Sequence, residues 1–541
     1  MDAAERKRHL GLALRRLEAG RWREAERACR PLRDADPGDV DAALLTALAV
    51  AGSGEAERAA PILGLVAQAR PDHAHPCRDL EALKPPLPAD RIIAQYRACL
   101  RLTPSHARLR RDFAAYLLDH DGAAEAETLL HGYLDTAAAE NLMGMALAEL
   151  GRFTDATAHF RRAVALDPVP SMGWTNLGLV LKVERQFDAA IAAYGEAVAR
   201  SPDDVRIRVN RAVALLQAGR WTEAWQDHDL RLRLPGHVGL PEDRLLPSLI
   251  EAGDLHGKTI LVVHEEGFGD TLQYARYLPL MAARGARVVA RVPGPLARLL
   301  RRITGVASVV TESGRLPPYD FHCPFPSLPR AFGTTVRSVP DAPYLTADPT
   351  LAKSWAPFVR HDRHALAVGL VWAGQARPWL PGFSTVDRRR SVGLAALAPL
   401  AAVGGVRFIS LQMGEPAAEA RHPPAAMRLV NPMGAVTSFA DTAAIIANLD
   451  LVISVDTAVA HLAGAMGRKV FLLNRYDNCW RWLSGRADTP WYPSMTIFRQ
   501  DSPNDWAGPV ANVAAALAAL ADFSGAGGTR PPPPPGFADA A

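Results

Sequence analysis

The sequence is poor in the residues that mark several classes of protein. Its 541 residues include only five cysteines and no C-x-x-C pair, which argues against a zinc site and against a disulfide framework. Aromatic residues make up only 7% of the chain. Lysine is scarce, with six among the 61 basic residues, and the 57 acidic residues leave a net charge of +4. Such a balanced charge gives no reason to expect nucleic acid as a partner.

Long apolar runs are missing as well. The N-terminal segment is charged and lacks the apolar core of a secretory signal. The longest uncharged stretch near the end, 506–521, is alanine-rich and shorter than a bilayer span. We therefore expect a cytoplasmic protein without a transmembrane segment. Hydrophobic residues still supply 49% of the chain, enough for large cores, and the length predicts three or four domains.

The first half of the chain repeats itself at an offset of 34 residues. In 137–170 and 171–204, small residues recur where two helices would cross closely, and large apolar residues fill the remaining gaps. A proline, Pro168 or Pro202, ends the second helix of each copy. Weaker copies bring the total to about seven over 6–235. The pattern resembles the tetratricopeptide repeat and predicts a helical solenoid whose groove binds a protein or peptide.

After the repeats, short apolar strands alternate with helical segments. Such alternation predicts parallel sheets covered on both faces, with ligands at the carboxyl ends of the strands. The predicted fold is therefore an all-α solenoid followed by two Rossmann-like α/β lobes. Strands are predicted at 259–263, 286–292, 306–310, 365–372, 406–411, 451–455 and 469–473. The expected boundaries are 1–235 for the repeats, 236–257 for a linker, 258–350 and 351–523 for the lobes, and 524–541 for a disordered, proline-rich tail.

A glycine-containing turn follows the first of these strands and ends in Gly269 and Asp270. Glycine lets the backbone approach a ligand closely. An ionised carboxylate at the mouth of a cleft can accept a proton from a substrate hydroxyl, which would make Asp270 a general base. The same aspartate could instead simply cap the following helix. The spacing alone leaves both interpretations open.

A second turn follows the strand at 451–455. Asp456 and Thr457 come directly after the strand, and a helix rich in small residues begins there. Free N–H groups at Thr457, Ala458 and Val459 would form an anion site of the kind that binds phosphate. His461 lies one helical turn after Thr457 and can face the same ligand. The alternative is a capped helix with a packed histidine, but the convergence of strand, cap and histidine favours a ligand site.

Two further segments carry weaker signals. The run Asp387-Arg388-Arg389-Arg390-Ser391 could bind a diphosphate, although most charge runs are simply solvated. The aromatic segment 480–493 is more typical of core packing or of contact between lobes, with a sugar or a base stacked on Trp482 as the alternative.

Together these motifs resemble a known family of enzymes. The segments EEGFGDTLQYARYLP, VGLVWAGQ, FISLQMGE and DLVISVDTAVAHLAGAMG, with DRRRS between the second and third, are similar to glycosyltransferase-B fold proteins of the heptosyltransferase-like (glycosyltransferase family 9-like) group. More closely, the whole chain resembles bacterial proteins in which tetratricopeptide repeats precede such a domain. The resemblance covers 258–521 and the repeats before it.

The resemblance implies an inverting, metal-independent transfer of a sugar from a nucleoside diphosphate sugar, which is a co-substrate and not a cofactor. Asp270 matches the base, the segment from Asp456 to Val459 matches the donor-phosphate segment, and Arg388 or Arg389 falls where the family carries a phosphate-binding lysine. Gln412, at a strand end, would face the same cleft. No metal ligands are expected, and 258–523 contains no D-x-D pair.

The expected partners are a nucleotide sugar and a protein or glycan acceptor selected by the repeat groove. Two rival interpretations remain. The first is a non-catalytic repeat scaffold with a degenerate glycosyltransferase-like module. The second is a phosphosugar epimerase, which shares the two-lobed fold but needs no acceptor.

Overall fold

The chain folds into two compact units. The computed structural model describes residues 1–69, 89–102, 104–235, 239–250, 254–361, 365–375 and 383–525. The units are Met1–Val180 and Leu181–Ala541. The boundary of packing therefore lies earlier than the end of the repeat pattern, which the sequence places at 235. The predicted tail at 524–541 lies outside the described residues except for its first two positions, and so do parts of the predicted linker, 236–238 and 251–253.

The first unit is helical, as the repeats predict. Gly144 of α8 shows why small residues recur in them, because a Cβ there would lie 2.6 Å from the ring of Phe160 in α9. Gly151, with a φ of +80°, makes the turn between these two helices. The helices are α1 (Ala3–Glu18), α2 (Trp22–Ala35), α3 (Val40–Gly52), α4 (Ala56–Ala69), α5 (Ala89–Leu102), α6 (Ala107–Leu118), α7 (Ala123–Leu130), α8 (Ala137–Glu149), α9 (Phe153–Leu166) and α10 (Ser171–Val183), which crosses the boundary.

The second unit begins with helices that continue the repeat pattern: α11 (Phe187–Arg200), α12 (Val205–Gln217) and α13 (Trp221–His228). Leu215, Trp221 and Trp225 of α12 and α13 are buried in the same hydrophobic core as the α/β region. Apolar side chains facing that core, in place of another repeat, explain why the packing boundary precedes the last repeat hairpin.

The first sheet has four parallel strands in the order β3-β2-β1-β4. They are β1 (Thr259–Val263), β2 (Arg287–Val292), β3 (Val306–Thr311) and β4 (Phe321–Pro324). The accompanying helices are α14 (Phe268–Tyr274), α15 (Leu278–Ala283), α16 (Gly294–Leu300) and α17 (Leu328–Ala331). The strand order reverses between β1 and β4, and such a reversal opens a crevice at the carboxyl ends of the strands.

The second sheet has six parallel strands in the order β10-β9-β8-β5-β6-β7. They are β5 (Leu366–Val371), β6 (Val406–Ser410), β7 (Leu429–Val430), β8 (Leu451–Val455), β9 (Val470–Asn474) and β10 (Met495–Arg499). The helices are α18 (Pro349–Val359), α19 (Phe383–Arg390), α20 (Phe439–Ile446), α21 (Ala458–Ala465) and α22 (Ala507–Gly525). The order reverses between β5 and β8, so the second crevice lies beside the end of β8.

These two sheets confirm the predicted fold of a helical repeat region followed by two Rossmann-like lobes. The seven predicted strands are present within two residues at either end. The sequence did not indicate β4, β7 or β10. Among the helices of the described residues, none is long and apolar enough to cross a membrane.

Candidate active site

The turn after β1 and the turn after β8 meet in the folded chain. A Cβ placed on Gly269 would lie 2.8 Å from Cδ2 of His461 and 3.6 Å from Cα of Ala458. Helix α14 therefore lies directly against the first turn of α21, and only glycine fits at position 269 without displacing a neighbour. Residues predicted from two separate strand ends are thus brought into one place, at the strand reversals of both sheets.

Asp270 lies in the first turn of α14, close to the start of α21. One carboxylate oxygen, Oδ2, accepts a 3.0 Å hydrogen bond from the backbone N–H of Gly267. The other, Oδ1, is paired with the guanidinium of Arg481. The side chain is 15% exposed, and that of Arg481 is 13% exposed. Asp270 therefore both caps its helix and faces the second lobe, so the two interpretations of this residue do not exclude each other.

Burial decides the protonation of the neighbouring groups. It raises the pKa of the Asp270 carboxyl, and the Arg481 guanidinium opposes that rise. Burial lowers the pKa of His461 to about 4, so its imidazole is neutral at pH 7. Nδ1 of His461 shares a 3.0 Å hydrogen bond with the hydroxyl of Tyr492, and Nε2 lies 3.8 Å from Oδ1 of Asp456. A neutral histidine held in this way can exchange hydrogen bonds with a ligand but carries no charge to it.

The start of α21 has the geometry of an anion site. Thr457 is its N-cap residue, with extended backbone and no side-chain capping bond. The Thr457 hydroxyl instead lies 3.0 Å from Oγ of Ser454. The first N–H groups of a helix lack partners within the helix, and its N-terminus carries a partial positive charge. The amides of Ala458 and Val459 belong to this first turn, as the sequence predicts.

Arg390, the third arginine of the predicted run, contacts this turn. Arg390 donates from Nη1 to the carbonyl oxygen of Asp456 over 3.4 Å, and it pairs with Asp387 at 2.8 Å. A Cβ on Gly374 would collide with the Arg390 guanidinium, so glycine at that position is what lets the side chain lie there. Arg389 instead pairs with Asp477 at 3.3 Å, and Arg388 is exposed. All three arginines lie at the end of α19, and Arg390 is the one that donates to Asp456.

Gln412 has a structural role. Its side chain is buried, and its Oε1 accepts hydrogen bonds of 3.0 and 2.9 Å from the N–H groups of Trp372 and Ala373. Its Nε2 donates to the carbonyl oxygens of Ala373 and Met413 over 3.0 and 2.9 Å. The amide therefore fixes the backbone that follows β5. A direct contact with a ligand would require the loss of these bonds.

The aromatic segment 480–493 packs inside the protein, in agreement with the prediction of core packing. Trp482 is fully buried and stacks on the ring of His461, with 5.1 Å between ring centroids. It offers no open face to a sugar. Arg481, between Trp480 and Trp482, is the site residue that the sequence did not indicate, because its partner Asp270 is 211 positions away.

A cavity of about 230 Å³ lies in the first lobe, at the carboxyl ends of β1 and β4. Both apolar and charged side chains line it, and the charged ones are Arg233, Glu242 and Glu265. The lining residues include Leu240, Leu245, Val263, Glu265, His322 and Pro324. Glu265 is buried and is bound to Arg231, a residue that follows the repeats, through two hydrogen bonds of 2.9 and 2.8 Å.

Comparison with known proteins gives matches to both parts of the chain. The family described as tetratricopeptide repeat matches residues 10–74, 114–172 and 175–232. Residues 405–507 match the family described as glycosyltransferase family 9 (heptosyltransferase). The first part of the chain therefore matches tetratricopeptide repeats, and part of the second lobe matches glycosyltransferase family 9. The part matched to family 9 contains β8, α21 and Arg481, which form one side of the candidate site.

Individual relatives resemble larger parts of the chain. Protein FlbA of Caulobacter vibrioides is 26% identical over 492 residues, which cover 78% of this chain and 80% of FlbA. A glycosyl transferase family 9 structure from Veillonella parvula covers 51% of this chain and 99% of its own, with 10% identity and a TM-score of 0.37. ADP-heptose lps heptosyltransferase II of E. coli covers 49% of this chain and 98% of its own, with 14% identity and a TM-score of 0.36. The family 9 domain supports a glycosyltransferase-like enzyme at the level of the family.

Proposed function

We propose that the protein transfers a sugar from a nucleoside diphosphate sugar to a hydroxyl group of a protein or glycan acceptor, with inversion and without a metal ion. The observation that carries the proposal is the contact between the Gly269–Asp270 turn and the first turn of α21. A carboxylate and a helix N-terminus, which are suited to a proton and to a phosphate respectively, lie side by side at the reversal points of two sheets.

The residues have distinct roles in this proposal. Asp270 accepts the proton of the acceptor hydroxyl, whose oxygen attacks the anomeric carbon of the donor. The bond between that carbon and the diphosphate oxygen breaks, and the diphosphate leaves with the electron pair. The amides of Ala458 and Val459, the Thr457 hydroxyl and the arginines at the end of α19 stabilise its charge. Such electrostatic stabilisation usually supplies most of the rate acceleration.

The repeats and the cavity of the first lobe provide an acceptor side. Tetratricopeptide repeats are protein-binding modules, so we propose that the groove selects a protein or a protein-borne glycan. The cavity beside β1 and β4 lies in the lobe that carries Asp270, and the apolar side chains in its lining suit a non-polar part of the acceptor.

Replacement of Asp270 by asparagine tests the assignment of the base. Asp270→Asn should abolish transfer, with a loss of at least about a hundredfold expected for a general base, while the affinity for the donor nucleotide is retained. Asp488→Asn is the matched control, because Asp488 pairs with Arg486 on the surface of the loop that also carries Arg481. Transfer is measured with a panel of nucleoside diphosphate sugars, and nucleotide binding is measured by calorimetry. Full turnover by Asp270→Asn would refute the assignment.

One observation favours the rival scaffold. Both oxygens of Asp270 already have partners, Gly267 and Arg481. A scaffold would use this pair only to hold the lobes together. It predicts that the folded wild-type protein binds none of the nucleotides in the panel, whereas the transferase binds at least one.

A further inference from the structure

The Asp270 carboxylate faces charged and titratable groups from several elements. Glu266 and His264 lie on the turn before α14, Tyr274 lies at the end of α14, His461 lies on α21, and Arg481 follows β9. Glu266 is an anion, and its Oε2 lies 3.9 Å from Nη2 of Arg481. Burial lowers the pKa of both histidines, so neither supplies positive charge at neutral pH. Among these five groups, Arg481 is the one that carries a positive charge toward Asp270 at neutral pH.

Arg481 approaches Asp270 from a loop that is held on several sides. Asn478, at the start of the loop, donates from its side chain to the carbonyl oxygen of Leu483 and so closes the turn that presents Arg481. Nη1 of Arg481 also donates to Sγ of Cys479 over 3.0 Å. Flanking it, Trp482 is stacked on His461. The guanidinium is therefore fixed by its own loop as well as by its pairing with the carboxylate.

The last repeat hairpin, formed by α12 and α13, supports this loop from the other side. Nε2 of Gln217 donates to Oδ1 of Asn478 over 2.8 Å. Trp221 packs edge-on against Trp480 and stacks on Trp491, with 5.7 and 5.3 Å between ring centroids. Gln217 and Trp221 are both buried. The hairpin thus belongs structurally to the site, in addition to any part in the repeat groove.

We infer that Arg481 is a positioning residue of the transfer reaction: it holds the Asp270 carboxylate in place for its role as the base, and the last repeat hairpin fixes the loop that carries it. This inference rests on the proposed function. Arg481 acts through Asp270 and needs no contact with the substrate. A group held by a rigid support keeps the geometry that proton transfer requires.

Loss of Arg481 should change the pH dependence of the reaction. A base must be deprotonated, so the rate falls as the pH drops through the pKa of Asp270. When Arg481 is replaced by a neutral residue, burial and the repulsion from Glu266 remain, and both favour the protonated form of the Asp270 carboxyl. The acidic limb of the profile should then move to higher pH. For an arginine in direct contact with a carboxylate, the expected shift is about one to three pH units.

The test is the pH profile of kcat/KM for the full-length wild type, Arg481→Gln, Arg481→Lys and the control Arg486→Gln. Arg486 lies in the same loop but pairs with Asp488 at the surface. We expect the acidic limb to move upward in Arg481→Gln, to return most of the way in Arg481→Lys, which keeps the charge, and to stay in place in Arg486→Gln. Arg481→Met, which also removes the charge but keeps an unbranched side chain, replaces the glutamine variant if that protein fails to fold.

A double variant distinguishes positioning from direct action on the substrate. If Arg481 acts only through Asp270, Asp270→Asn with Arg481→Gln is no slower than Asp270→Asn alone. An additional loss of tenfold or more in the double variant would overturn the inference, and so would an unmoved acidic limb in a folded variant that lacks the charge of Arg481. A folded wild type that transfers no sugar from any donor overturns the proposed function itself and the inference with it, so the two failures are distinguishable.

Discussion

Gly269→Ala is the substitution for which the structure gives the clearest magnitude. In a helix, replacing glycine by alanine normally stabilises a protein by about 0.5–1 kcal/mol, because alanine loses less backbone entropy on folding. Gly269 lies inside α14, so propensity alone predicts a gain. The neighbouring side chain of His461 predicts a loss of stability instead. The new Cβ would lie 2.8 Å from Cδ2 of His461, closer than a relaxed carbon–carbon contact of about 3.5 Å.

His461 cannot easily move out of the way. Its ring is stacked on the buried Trp482, and its Nδ1 is bonded to Tyr492. Overpacking of a tight contact costs about 1–3 kcal/mol. The net expectation is destabilisation of about 1–2 kcal/mol, together with displacement of α14 from α21 and a loss of transfer activity.

Gly195→Ala is the matched control. Gly195 lies in α11 of the same compact unit, and a Cβ there meets no atom within 4 Å, so this variant should be more stable than the wild type by up to about 1 kcal/mol. Thermal unfolding is followed by tryptophan fluorescence, which reports mainly on the second unit because only Trp22 and Trp174 of the 11 tryptophans precede residue 181. A melting temperature of Gly269→Ala at or above that of the wild type would refute the contact between the two turns.

Two further predictions concern buried polar residues. His461 has a pKa of about 4, below the ordinary 6.5, so the unfolded chain binds its proton more readily. The free energy of unfolding is therefore unaffected by this histidine above about pH 6.5 and falls by about 3 kcal/mol as the pH approaches 4. His461→Gln should lack this part of the pH dependence in unfolding measurements. An identical pH dependence in the two proteins would contradict the burial of a neutral histidine. Gln412→Ala leaves the N–H groups of Trp372 and Ala373 without acceptors and should lower the free energy of unfolding by about 3 kcal/mol, which is measured as a lower melting temperature. An unchanged melting temperature with weaker nucleotide binding would instead make Gln412 a ligand contact.

The sequence predicts most of the fold because its elements carry strong local signals. The strands β1 and β8 are mainly apolar runs bounded by polar residues, and β5 lies in a longer apolar run, the pattern of strands buried on both faces. The short strand β4 has the sequence Phe-His-Cys-Pro and gives no such signal. It is a strand because it pairs along β1, which is a tertiary effect. The repeat pattern likewise continues through α13, but the packing boundary does not follow it, since Trp221 and Trp225 are buried against the α/β core.

The candidate site was predictable where residues follow strands, and hidden where a loop supplies them. Asp270 and His461 each follow a buried strand, and the carboxyl ends of strands are where such folds place ligands. Arg481 lies in an irregular loop far along the chain from Asp270, so no local pattern could pair them. Gln412 is predicted to face the ligand, but its amide binds the backbone of Trp372 and Ala373. A glutamine at a strand end looks the same in the sequence in either case.

Calorimetric titration of the folded, full-length wild type with a panel of nucleoside diphosphates tests the central claim most directly. At least one of them should bind with one-to-one stoichiometry if, as we propose, the first turn of α21 and the arginines of α19 hold a diphosphate. If none binds, the contact between the two turns serves structure alone, and the transferase assignment is wrong.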